Sequence, residues 1–137
     1  MNDGFHTVTK HLNWWERFLA RGAIRGILGR LKDDENILAA AKGQVMGETF
    51  SSYEWLGWAL LVVTTQRVFI FIRRENSVLD VPVSELTYLH DVCPSDPVSE
   101  NHTVELGTKQ CVTFRFAVSS KAANEIDQAA QLLYDND

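Results

Sequence analysis

The groups in this chain able to act as nucleophile, general base or metal ligand are Cys93, Cys111, His6, His11, His90 and His102. A thiol nucleophile needs an imidazole within hydrogen-bond reach. His90 with Cys93, or His90 with Cys111 across a sheet, is the pairing that meets this on paper. No third group that would orient the base is recognisable, and no two histidines stand at the helical spacing of a metal pair. The pattern therefore predicts no enzyme, no metal and no cofactor, with His90 a strand-end imidazole and the thiols small buried side chains. Two cysteines are also too few for a disulfide framework. They fit a reducing compartment. With no leader-like segment and no apolar run near the ~20 residues of a spanning helix, the expectation is a cytoplasmic protein.

A second constellation carries recognition chemistry. Residues 1–32 hold six Lys/Arg and two acidic residues, a charge of +4, while residues 33–137 hold seven and sixteen, a charge of −9. The whole, at −5, argues against a nucleic-acid partner, because a polyanion wants a basic footprint. The asymmetry reads as a basic appendage on an acidic body. Within it, Leu12, Trp15, Leu19, Ala23 and Ile27 recur at three- and four-residue steps and predict the apolar face of a helix over residues 9–31. Lys10, Arg17, Arg21 and Arg25 fall opposite, and Trp14 and Phe18 sit among them where a plain solvated face would carry polar groups. Aromatic rings among cations suit a partner surface or the headgroup zone of an anionic membrane. Gly22 and Gly26 would allow a second helix to approach, a weak signal outside a membrane. A further aromatic set, Phe50, Tyr53 and Trp55, falls in and just after the polar stretch from Glu48 to Glu54 and offers a second candidate anchor, or else packs a barrel end beside Trp58.

The body that must carry these residues reads as β-structure. Ile37, Ala39, Ala41, Gly43 and Val45 alternate as a half-buried strand does. Residues 58–63 and 68–72 are β-rich runs about Thr64-Thr65-Gln66-Arg67, which predicts a hairpin. Short strands follow at residues 78–81 and 86–92. A second hairpin spans 102–106 and 111–118, with Val112, Phe114, Phe116 and Val118 on one face. Ser119 or Ser120 then caps a closing helix whose stripe is Ala122, Ile126, Ala129 and Leu133. The order is helix, about seven strands, helix, with units at 1–32, 33–134 and a tail at 135–137.

Seven strands in hairpins, closed by one amphipathic helix, is the order of the pleckstrin-homology fold. There the helix covers the apolar mouth of a short, partly open barrel. Over residues 33–134 the chain resembles bacterial pleckstrin-homology-like domains of the YokE type. The residues that carry this are Glu35-Asn36-Ile37 entering the first strand, Thr64-Thr65-Gln66-Arg67 at the hairpin turn, and Val83-Ser84-Glu85-Leu86 leading a later strand. Thr65 departs from the family's frequent Asp. The resemblance implies an α+β, PH-like partly open barrel of antiparallel strands with a C-terminal helix. It also implies a non-catalytic binding or interaction module. Self-association as a homo-oligomer is expected from the exposed strand edges of such a barrel and from a +4 segment facing a −9 body on a neighbouring copy. Phosphoinositide binding is not carried over, because no Lys or Arg stands between Lys42 and Arg67 and the loop holds Glu48 and Glu54 instead. An anionic membrane surface, met through the N-terminal helix, is the competing partner.

Overall fold

The computed structural model describes residues 7–10, 12–48, 52–92, 101–110 and 112–135. Seven antiparallel strands form one curled sheet: β1 (Ile37–Glu48), β2 (Tyr53–Thr64), β3 (Arg67–Ile72), β4 (Ser77–Pro82), β5 (Leu86–Asp91), β6 (Asn101–Thr108) and β7 (Thr113–Ser119). Their order in space is β4-β3-β2-β1-β7-β6-β5. The end strands β4 and β5 do not pair, so the barrel stays partly open. Helix α1 (Trp14–Arg30) precedes the sheet and α2 (Ser120–Asp135) follows it.

The curl has local causes in β1. Its second half pairs with β7, from Gln44 opposite Ala117 to Glu48 opposite Thr113, while its first half pairs with β2 alone. Gly43 stands where the two neighbours diverge. A Cβ there would lie 1.9 Å from the Ala117 carbonyl oxygen, so only a glycine admits β7 at that point. A second irregularity lies opposite Val45 and Met46, where β2 carries an extra residue and Gly57 adopts φ +87°. That left-handed backbone suits glycine.

Two apolar cores lie on the two faces of the sheet. Inside, Val45, Leu61, Ile70, Leu106, Phe116 and their neighbours pack on Ala122, Ala123, Ile126, Ala129, Ala130 and Leu133 of α2. Ser119 Oγ accepts from the Ala122 N–H, as the N-cap expectation requires. Outside, Ala40, Leu60, Val62, Phe69 and Phe71 pack against Val8, Leu12, Ala20, Ile24 and Ile27. Helix α1 therefore lies on the outer face of β1–β4. This is why β1 is buried on both sides at Ala39, Ala40 and Ala41 rather than alternating. Ile37 also changes face, joining the outer core, because the register shifts between Ile37 and Ala39.

Helix α1 starts later than the periodicity predicted. Asn13 and Glu16 form a capping box, Asn13 Oδ1 accepting from the Glu16 N–H at 2.8 Å and Glu16 Oε1 from the Asn13 N–H at 3.0 Å. The helix thus begins at Trp14, and residues 7–9 form a separate helical turn. Its buried stripe is Ala20, Ile24 and Ile27. Trp15, expected on that stripe, points to solvent: it precedes Ala20 by five residues, about 140° around the axis. Leu19 and Ala23 are half-buried at the margin.

Candidate functional site

The capping box does more than start α1. Glu16 also pairs with Lys42 of β1 and accepts from the Trp58 indole. Burial disfavours its charge, yet the Lys42 ammonium, the Asn13 N–H and the indole outweigh that and hold its carboxyl below the usual range. One end of the helix is fixed on β1 and β2 in this way.

The other end is fixed by Arg67, the arginine of the β2–β3 turn. Its Nε and Nη2 donate to the two oxygens of Glu35 at 2.9 and 2.8 Å, and Nη1 donates to Asp80 at 2.8 Å. Nη2 also donates to the Arg30 carbonyl of α1 at 2.6 Å. The guanidinium lies 4.7 Å from the centre of the Phe69 ring. Glu35, its side chain fully buried, receives further donors from Thr64 Oγ1 at 2.5 Å and the Lys32 N–H at 3.1 Å. Burial opposes the Glu35 charge, and Arg67, Thr64 and the Lys32 N–H together keep the carboxyl below its ordinary value. Arg67 is raised, first by its hydrogen bonds to Glu35, against burial, and also by Asp80. The two sequence motifs flanking β1 and β3 thus meet in one clamp that ties helix, strand and turn together.

Held at both ends, α1 presents a fixed outer surface. Trp14, Trp15 and Phe18 are 76%, 57% and 59% exposed. Their ring centres stand 6.0–6.4 Å apart, so the three form one cluster. Trp14, Phe18, Arg21 and Arg25 follow steps of four, three and four and share a single stripe. Arg17 flanks it and donates to the Leu12 carbonyl at 3.1 Å. Among the described residues Arg17, Arg21 and Arg25 enter no ion pair, although Lys10 pairs with Glu125 of α2. The structure therefore brings Trp14, Arg17, Phe18, Arg21 and Arg25 onto one surface and adds Trp15.

The second aromatic set does not join them. Trp55 is 56% exposed on β2, with no ring contact to the α1 cluster among the described residues. Trp58 is half-buried and meets Phe71 edge-on at 6.4 Å. Phe50 and the Tyr53 side chain lie outside the described residues, as do His6, His11, Cys93 and Cys111.

Sequence reasoning missed two further features. His102 and Asp91, both buried, meet at 2.7 Å between Nδ1 and Oδ2. The pair joins β5 to β6. The other is a mouth at the open side of the barrel. Two adjoining recesses of about 230 and 220 Å³ share Leu79, Val112 and Phe114 as a common wall. Carboxylates stand along them at Glu54, Glu75, Asp80 and Glu85, and no Lys or Arg lines either. Among the described residues no three His, Cys, Asp or Glu side chains converge as a metal site would require. Among the described residues no helix is long and apolar enough to cross a membrane.

No protein-family model matches the chain, and no curated protein sequence matches it. Solved structures do. The N-terminal PH domain of Vps36 aligns over 77% of this chain and 83% of its own, with a TM-score of 0.54 and 13% identity. The pleckstrin homology domain of USP37 aligns over 72% of this chain and 98% of its own, with a TM-score of 0.56 and 8% identity. At such identities the likeness is one of fold. The chain has the pleckstrin-homology-like fold: a curled seven-stranded antiparallel sheet with a C-terminal helix, here with an N-terminal helix added on its outer face.

Proposed function

We propose that this protein is a non-catalytic PH-like interaction module whose binding surface is the outer side of α1, and that its partner is a protein, including further copies of itself. One observation carries the reading. The apolar stripe of α1 is already consumed by the sheet, yet three large aromatic side chains in mutual contact remain exposed beside three arginines that enter no ion pair among the described residues. Trp and Arg are the side chains that dominate binding hot spots, and a helix fixed at both ends loses little order on binding. Trp55 on β2 is a separate, smaller anchor on this reading, and Phe50 and Tyr53 remain proposals beside it. The experiment is mass by light scattering over a concentration series. The wild type should exceed the 15.5 kDa of one chain, and Trp14→Ser/Phe18→Ser should not.

A second reading, peripheral binding to an anionic membrane, is favoured by the same stripe, since rings among arginines also suit a headgroup layer. Each cation near such a surface contributes about 1 kcal/mol. The −9 of residues 33–137 opposes it. Flotation with anionic vesicles decides: loss in the double variant supports it, and no flotation at low salt removes it. We also place the chain among the bacterial YokE-type domains, in a cytoplasmic setting. The first part rests on Glu35 and Arg67, the motif residues that meet in the clamp.

A further inference from the structure

The surface of α1 is convex, aromatic and basic. The mouth of the barrel is concave, apolar and acidic. We propose that the mouth receives the Trp14–Phe18 end of α1 from a second copy of this chain, so that the protein assembles head to tail. The inference rests on the reading of α1 as the binding surface and names what that surface meets.

Three features carry it. The first is shape. Each recess has the volume of roughly seven waters, room for an aromatic side chain, and Leu79, Val112 and Phe114 give it apolar walls. The second is charge. Of the four carboxylates along the mouth, Asp80 is matched by Arg67, while Glu54 and Glu75 share Arg74 at 2.8 and 3.8 Å. Glu85 enters no ion pair among the described residues, so the rim stays net negative even with Lys109 in the adjoining turn. Arg17, Arg21 and Arg25 would meet it with favourable sign. The third is geometry within one copy. Lys42 holds Glu16 and Arg67 holds the Arg30 carbonyl, so α1 is fixed on the outer face and cannot turn its rings into its own mouth.

The competing self-contacts are weaker. Two α1 surfaces face to face would bring like net charge together, since each carries Arg17, Arg21 and Arg25. The larger recess beside α1, about 600 Å³ between Gly22, Gly26, Phe71 and Val78, carries Arg30 and no carboxylate, so it does not attract that surface. Because two different patches meet, the contact is heterologous and leads to a ring or an open chain rather than a two-fold dimer.

The test uses two full-length variants, each first shown to melt cooperatively. Trp14→Ser/Phe18→Ser removes the inserting surface and keeps the mouth. Val112→Arg/Glu75→Lys blocks the mouth and keeps the surface. Should Val112→Arg prevent folding, Glu54→Lys/Glu75→Lys changes exposed rim positions only and should weaken self-association roughly tenfold. By light scattering the wild type should grow with concentration, and each variant alone should remain at 15.5 kDa. Mixed, the two should form a one-to-one heterodimer and stop there, since one working mouth and one working α1 surface are left between them. A mixture that stays monomeric overturns the proposal, as does a mouth variant that assembles like the wild type. In that last case, loss of assembly in the α1 variant leaves α1 as the binding surface with another receiver. A wild type that is monomeric at millimolar concentration also overturns it, and the surface reading then stands or falls on flotation with anionic vesicles.

Discussion

Replacing Arg67 with Met should unfold much of what positions α1, because one guanidinium serves four acceptors. It leaves Glu35, whose side chain is fully buried, with Thr64 and one N–H for company. Breaking a buried ion pair from one side costs about 3–5 kcal/mol, since the remaining charge is uncompensated. Loss of the contact to the Phe69 ring adds about 0.5–1 kcal/mol. Against a total stability of about 5–15 kcal/mol, this is a large fraction. The melting temperature should fall on the order of 10–20 °C. The dependence on pH has a definite sign. In the wild type Glu35 titrates low, so its contribution is present above the ordinary carboxylate value of about 4.3 and is lost as pH falls through the depressed one. In Arg67→Met burial dominates and raises that carboxyl, so acid should protonate it and restore part of the loss. The gap between variant and wild type should therefore narrow from pH 7 to pH 4. Glu35→Gln/Arg67→Met should cost less than Arg67→Met alone. Chemical denaturation at the two pH values reads all three quantities. A cost below about 1 kcal/mol at neutral pH, or a gap that does not change with acid, would refute the clamp.

Other perturbations follow from the same packing. Ile70→Asp places a carboxylate in the inner core and should prevent folding, checked by loss of a cooperative thermal transition. Gly43→Ala should destabilise the β1–β7 pairing, because its Cβ meets the Ala117 carbonyl; equilibrium unfolding should show a cost of about 1–3 kcal/mol. Removing residues 1–31 should yield aggregated protein, since Leu60, Val62, Phe69 and Phe71 lose their cover; a soluble, cooperatively melting fragment would contradict this.

Much of this fold was legible because its signals are local. The run at residues 68–72 places Val68, Ile70 and Ile72 on the inner core and Phe69 and Phe71 on the outer one, and its apolar character on both faces announced a strand covered twice. What covers the outer face was not legible. The segment over residues 12–28 offers two apolar stripes of similar quality, and only the capping box at Asn13 and the contact with the sheet choose Ala20, Ile24 and Ile27 over Trp15. Trp14, Arg17, Phe18, Arg21 and Arg25 lie together on the exposed side of α1, and Trp15, expected on the buried stripe, lies with them. The clamp left a trace, since Glu35 and Arg67 both belong to the motifs at the first strand and the hairpin turn, but 32 positions separate them and pairing at that range has no periodicity to betray it. The mouth left none. It is assembled from residues of six strands, β1–β4, β6 and β7, and of the turns between them, and exists only once the ends of the sheet fail to close.

The central claim is that the exposed side of α1 is the surface by which this module binds. The most direct measurement is light scattering of the wild type and of Trp14→Ser/Phe18→Ser at matched concentrations, each with and without anionic vesicles. The account predicts a wild type heavier than one 15.5 kDa chain, or carried with the vesicles, and a variant that is a folded monomer in both conditions. Two proteins of identical mass that both ignore the vesicles would contradict it.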